Sequence, residues 1–327
     1  MSRNHDKLVT IQEYMREELL LLERAIKKHI SSETEQIHNV SQHIINSGGK
    51  KVRPLIVLAV ARACGYRGTE HADLAAMIEL VHVATLLHDD VVDEGSMRRG
   101  KKAANIVFGN ATSILVGDFL YTRAFQIMVQ AKIYEILSVM ADATNKTAEG
   151  EVLQLLNHNR LDLSECSYME IIDKKTAQLF CAAAQVGSLI AKVSPEEQKQ
   201  WKSYGHNIGI AFQLMDDILD YTANYDLCGK TPGQDLSEGK VTLPIIHALE
   251  KSSNEEKKLI CSIMLQKNIN ELANIKNILI RNRSLDYVHQ QAVSFSKKAK
   301  EDINTVPDSQ FKAILLELAD FAVHRCR

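Results

Sequence analysis

Only five prolines and fifteen glycines interrupt the 327 residues of this chain, and long stretches run without any turn signal. A backbone so rarely broken favours helices, because proline and glycine are the residues that end them. Apolar residues also recur at three- and four-residue steps, as at Phe311, Ile314, Leu315, Leu318 and Phe321 or Ala322. That is the period of one buried helical face. Helix starts are legible too. Ser194-Pro195-Glu196-Glu197 reads as a capping box with proline in the first turn, and Ser253 with Glu256 repeats the pattern. No run of β-branched segments alternates with Asn-Gly or Asp-Gly turns, so a sheet has little support. The chain reads as all-α, about a dozen helices in a single domain over residues 1–327, with no composition break to suggest a linker. Helices are expected at about 7–30, 53–64, 70–95, 112–131, 133–158, 164–191 and 195–223, and shorter ones at about 241–325.

Composition excludes several function classes. A net charge of -2 gives no global basic field for nucleic acid. The longest apolar stretch, Leu55 to Ala61, falls far short of the roughly 20 residues of a membrane span. The polar N-terminus lacks the apolar core of a secretory signal. Six scattered cysteines form no CxxC pair, which suits a reduced, cytoplasmic setting better than a disulfide framework.

One acidic pattern occurs twice. Leu86-Leu87-His88-Asp89-Asp90-Val91-Val92-Asp93 ends one long apolar run, and Phe212-Gln213-Leu214-Met215-Asp216-Asp217-Ile218-Leu219-Asp220 ends another. Residues four apart share a helix face, so Asp89 with Asp93, and Asp216 with Asp220, aim two carboxylates at one point. Like charges at the carboxyl end of a helix repel each other and the macrodipole. A hard cation removes the conflict, and an all-oxygen ligand set favours Mg²⁺, usually completed by substrate phosphates. A single such cluster could be merely solvated; two copies, each on an apolar helix, point to metal.

Basic groups surround these acids. Arg98 and Arg99 follow the first cluster by a short loop, Lys175-Thr176 lies mid-chain, and Lys230 and Lys240 follow the second cluster. Gly48-Gly49-Lys50-Lys51-Val52-Arg53-Pro54 opens an early helix. Arginine forks, lysine charges and a helix N-terminus are what diphosphates require. Together the pattern describes two diphosphate sites, one reached through metal and one through direct Lys/Arg contact.

In order along the chain, GGKKVRP, LLHDDVVDEGSMRRG, the KTA at Lys175 to Ala177, FQLMDDILDY and GKTPGQDLSEGKVTLP resemble the signature set of the trans-isoprenyl diphosphate synthases. The match spans residues from about 45 to 250 and looks most like the bacterial long-chain, octaprenyl-making members. The resemblance implies an isoprenoid-synthase fold around a deep central cavity, working as a homodimer. It implies three magnesium ions held by Asp89, Asp93 and Asp216 with help from Asp90, Asp217 and Asp220, bridging an allylic diphosphate, with farnesyl diphosphate the expected starter. Arg98, Lys175 and Lys240 would hold that same diphosphate. Lys50, Arg53, His82 and Arg99 would hold isopentenyl diphosphate, and Thr176, Gln213 and Lys230 would shape the reacting end. His82, seven residues before Asp89, lies two turns below it on the same face; His88 reads as packing or a supporting group.

The reaction follows from these parts. The allylic C–O bond ionises, the isopentenyl double bond adds to the cation, and a proton leaves to the departing diphosphate. The growing tail should run from Asp89 toward the helix N-terminus. One helical turn rises about 5.4 Å, close to one isoprene unit. Thr85 and Ala84, one turn below Asp89, are small, and Val81 below them is modest, so the cavity stays open for several units. Met128 and Met140 are candidate floor residues, because methionine fills irregular gaps. The expected product is a long all-trans polyprenyl diphosphate of octaprenyl size, serving a quinone side chain. A shorter geranylgeranyl product is the alternative, and a silent partner subunit the non-enzymatic one. A His-Asp phosphohydrolase would need further histidine ligands that the second cluster lacks, and a terpene cyclase would not need the GGKKVRP loop or Arg99.

Overall fold

The computed structural model describes residues 3–222 and 232–324. Helices dominate it, and the expected segments at 53–64, 70–95, 112–131, 133–158 and 195–223 appear as Val52–Ala63, His71–Val92, Asn110–Ala131, Tyr134–Leu156 and Pro195–Thr222. Both capping boxes form: Ser194 with Glu197, and Ser253 with Glu256, each bond in both directions.

Four differences from the expectation matter. The helix expected at 7–30 is two, Arg3–Tyr14 and Arg16–His29, meeting at the buried Met15. A helix at Glu35–Ile45 was not foreseen. A small antiparallel hairpin, Met97–Arg98 with Lys101–Lys102, follows the first aspartate cluster, although a sheet had little support; two-residue strands are too short to show a period of two. The segment 164–191 is not one uniform helix. Glu165–Ile172 and Gln178–Ile190 flank a π-helical turn, Asp173–Ala177, which carries Lys175 and Thr176. Such one-turn insertions are rare and favour functional sites.

The core forms around helices that are apolar on all sides. Gln178–Ile190 buries twelve of its thirteen residues, and its run of alanines with Gly187 lets it sit between Val52–Ala63, Tyr134–Leu156 and Pro195–Thr222. A helix without a polar face has to be interior. The first aspartate helix, His71–Val92, packs on Asn110–Ala131 and Val52–Ala63, and the second, Pro195–Thr222, packs on Gln178–Ile190 and Ser284–Asp302. Both therefore deliver aspartates from a rigid interior to one end of the bundle.

Candidate active site

The first aspartate cluster divides by helical angle. Asp89 and Asp93 line a cavity of about 420 Å³ enclosed by His71–Val92, Asn110–Ala131 and Tyr134–Leu156. Asp90 points away from it and is only 2% exposed. Arg98 donates to Oδ1 of Asp90 from Nε and Nη2, at 2.9 and 2.5 Å, and Asn105 pins the loop by donating to the backbone oxygens of Asp90 and Gly95. Oδ2 of Asp90 is buried with no hydrogen-bond partner among the described residues. Burial raises the carboxyl of Asp89 above its ordinary range, and the like charge of Asp93 adds to this against Lys175, Arg98 and Lys240.

Two lysines meet these acids. Nζ of Lys240 lies 2.7 Å from Oδ2 of Asp93 and 2.5 Å from Glu238. Burial opposes its charge, but those two carboxylates hold it above the usual lysine range. Nζ of Lys175 lies 2.5 Å from Oε2 of Glu151. Glu151, absent from the expected site, is a further carboxylate at the cavity mouth. Burial and then the charge of Asp89 push it up to about 6, against Lys175. It belongs to a stripe of Thr144, Thr147, Ala148, Glu151 and Leu155 that lines the cavity at helical spacing, a signal the sequence does carry.

The π-turn aims Lys175. A Cβ added at Gly150 would come 2.4 Å from the backbone nitrogen of Lys175, so only glycine lets that turn lie against Tyr134–Leu156. Gly150→Ala is expected to destabilise the protein by about 1–3 kcal/mol and to lower turnover by moving Lys175. Thermal melts and steady-state rates check both; a variant with wild-type melting and rate would mean the turn tolerates the shift.

The second cluster is held differently. Asp217, 1% exposed, accepts hydrogen bonds from Tyr168 Oη and from Nε2 of Gln213 at 2.9 Å. Oε1 of Gln213 in turn accepts from Oγ1 of Thr176 at 2.9 Å. The carboxylate of Asp220 accepts the backbone N–H groups of Gln234 (3.2 Å) and Asp235 (3.0 Å). It thereby fastens the short helix Gln234–Glu238, which leads directly to Lys240 and so to Asp93. Asp216 is half-buried beside these residues. A smaller cavity of about 120 Å³ lies between Lys175, Thr176, Gln213, Asp217 and Lys240, and Gln154 and His158 line both cavities. Lys230 lies outside the described residues.

The basic loop forms a second group. Gly49 takes a φ of 145°, and a Cβ there would come 2.5 Å from Nη1 of Arg99, so the glycine is what lets that guanidinium cross the loop. Lys50 lies over the Phe321 ring, 5.2 Å from its centroid. Arg53 lies 3.2 Å from Nε2 of His82 through Nη1. Burial, with Arg53, Arg99 and Arg98 nearby, holds His82 well below its ordinary range and therefore neutral. Glu79 is a buried carboxyl raised by burial against Arg99, Arg53 and Lys51.

The residues expected to set product length separate. Val81 and Thr85 line the larger cavity, together with Tyr121, which sequence reasoning missed. Ala84 does not line it; it is 0% exposed in the core, because one residue along a helix turns the side chain about 100°. Met128 and Met140 are likewise buried and outside the cavity lining. His88 does line it, paired with Asp118 at 3.4 Å.

The donors suit a hard cation. They are carboxylate oxygens, those of Asp89, Asp93 and Glu151 lining the larger cavity and that of Asp217 the smaller. Among the described residues no three His, Cys, Asp or Glu side chains gather into a metal site of their own. A magnesium ion held here would need phosphate oxygens to complete its shell, its usual mode of binding.

Known proteins are similar to this chain in sequence and fold. The polyprenyl synthetase family model matches residues 34–280. The octaprenyl diphosphate synthase of Escherichia coli (strain K12) is 44% identical over 98% of this chain and 99% of its own length. The all-trans-nonaprenyl-diphosphate synthase (geranyl-diphosphate specific) of Rhodobacter capsulatus is 39% identical over 93% of this chain and 94% of its own. The crystal structure of a polyprenyl synthase from Caulobacter crescentus CB15, complexed with calcium and isoprenyl diphosphate, superposes with a TM-score of 0.93 over 98% of each chain at 39% identity. The chain belongs to the polyprenyl synthetase family and is a prenyltransferase, a trans-polyprenyl diphosphate synthase.

Proposed function

We propose that this chain condenses isopentenyl diphosphate repeatedly onto an allylic diphosphate, farnesyl diphosphate being the preferred starter, and releases an all-trans product of octaprenyl size for a quinone side chain. The observation that carries this reading is the cavity with Asp89 and Asp93 at its mouth and the small Thr85 and Val81 below them. The octaprenyl-making relatives support the same length.

In this reading the allylic diphosphate sits between the two aspartate clusters, held by Lys175, Lys240 and Arg98, with Asp89, Asp93 and Asp216 as principal magnesium ligands and Asp90, Asp217 and Asp220 supporting them. Magnesium, when bound, supplies the charge neutralisation that lets diphosphate leave. Lys50, Arg53 and Arg99 clamp isopentenyl diphosphate so that its double bond lies within attack distance of the allylic carbon. Thr176 and Gln213 fix the reacting end. The proton lost after bond formation goes to the released diphosphate.

The chain is expected to act as one domain and as a homodimer in the cytoplasm. Leu115, Val129 and Leu156 stand exposed on Asn110–Ala131 and Tyr134–Leu156 outside the cavity lining, apolar surface that suits an interface. No described helix is long and apolar enough to cross a membrane.

One observation favours the shorter, geranylgeranyl-like product: the aromatic Tyr121 in the cavity wall. Incubating the protein with farnesyl diphosphate, isopentenyl diphosphate and Mg²⁺, then sizing the dephosphorylated alcohols, decides between them. An eight-unit alcohol is expected. A four-unit limit would favour the shorter reading, and no elongation at all would overturn both. Gly49→Ala, which displaces Arg99, is expected to raise the KM for isopentenyl diphosphate roughly tenfold or more, with less change in the allylic KM. Equal change in both would place Arg99 elsewhere.

A further inference from the structure

We propose that Phe180 is a positioning residue for the isopentenyl diphosphate site, its ring face fixing the plane in which the Arg53 guanidinium meets that substrate. The inference rests on the reading of Arg53 given above and extends it to a residue on a different helix with no polar atom.

Arg53 enters the site from the first turn of Val52–Ala63, and a side chain with four rotatable bonds needs outside restraint to hold one pose. Two restraints converge on it. Its Cζ lies 4.3 Å from the centroid of the Phe180 ring, where the negative face of the π-system attracts a cation, most strongly when water is excluded. Its edge is set by Nε2 of His82 at 3.2 Å, a neutral imidazole nitrogen that accepts while Nη1 donates. His82 thus acts through Arg53 instead of spending that nitrogen on the diphosphate.

The ring is itself immobile. Phe180 is 0% exposed, and it is tilted at 45° against Phe212 with centroids 5.4 Å apart. Gly205 and Gly209 bring the second aspartate helix into direct contact with it: a Cβ at Gly205 would come 2.4 Å from the Phe180 backbone oxygen, and one at Gly209 3.2 Å from the Phe180 Cβ. Phe212 immediately precedes Gln213. The aromatic pair therefore fixes the guanidinium against the same helix that places the Thr176–Gln213–Asp217 hydrogen bonds, which ties the two diphosphate sites to one rigid reference.

The test replaces Phe180 by phenylalanines carrying progressively more ring fluorines, which weaken the negative face while nearly keeping the shape. At saturating farnesyl diphosphate, the KM for isopentenyl diphosphate is expected to rise stepwise with fluorine number, to roughly tenfold, with kcat and the allylic KM unchanged. Phe180→Leu should show at least the full rise. A KM that stays flat across the fluorinated series overturns the inference, as does a rise shared equally by both substrates, which marks mere packing. Arg53→Met serves as the reference. If it raises the isopentenyl diphosphate KM while the fluorinated series is silent, only the role of Phe180 falls. If Arg53→Met is itself silent, the reading of the site falls and the inference with it.

Discussion

Asp89→Ala is expected to lower turnover on the order of a thousandfold while leaving the affinity for isopentenyl diphosphate close to its starting value. The asymmetry comes from geometry. Asp89 shares its cavity with Asp93, Glu151 and the approaches of Lys175 and Lys240, whereas Lys50 on the glycine loop, Arg99 in the hairpin turn and Arg53 in the first turn of Val52–Ala63, bonded to His82, form a separate group. Removing the first carboxylate strips charge from where the leaving diphosphate must be held and leaves the other clamp intact. Steady-state rates with equilibrium binding of isopentenyl diphosphate measure the two effects separately, and equal losses would mean the two sites are wrongly assigned. Asp90→Ala should behave differently. It leaves the Arg98 guanidinium partly buried without its counter-charge, a loss that costs about 3–5 kcal/mol when a buried pair is broken, so its main symptom is a lower melting temperature.

Thr85→Phe is expected to shorten the product to about 15–20 carbons, one turn of helix below Asp89 corresponding to roughly one isoprene unit, with turnover retained. Thr85 lines the cavity directly, and its hydroxyl is already occupied by the His82 carbonyl at 2.8 Å, so a larger ring there obstructs the tail and little else. Sequence spacing alone makes Ala84→Phe equivalent. The structure separates them, because Ala84 faces packed core and a phenyl ring there should destabilise the fold by about 1–3 kcal/mol before it acts as a stop. Sizing the dephosphorylated alcohols of both variants alongside their melting curves distinguishes a blocked tunnel from a damaged core. An unchanged product from Thr85→Phe would refute the helical ruler.

Much of this was readable before any coordinates, for physical reasons. Helical period and scarce turn residues carry the all-α architecture, and the four-residue spacing of Asp89 and Asp93 puts both on one face. What escaped depends on partners distant in sequence. Asp220 fastens the helix Gln234–Glu238, which requires the chain to return after the second cluster. The π-turn under Lys175 adds one residue to a helical repeat without any mark in composition. The stripe that carries Glu151 has a helical spacing visible in the sequence, but that it faces a cavity shows only once Asn110–Ala131 and His71–Val92 stand beside it. Ala84 and Thr85 differ by one residue of rotation, finer than helix boundaries read from sequence.

All of these expectations depend on aspartates from two distant helices closing on a single diphosphate. A crystal structure of the protein with Mg²⁺ and an unreactive thio-analogue of farnesyl diphosphate tests that most directly. The expected result is oxygens of Asp89, Asp93 and Asp216 within about 2.0–2.1 Å of magnesium ions that bridge the same diphosphate. Magnesium bound by one cluster alone, with Asp216 turned away from the phosphates, would contradict it.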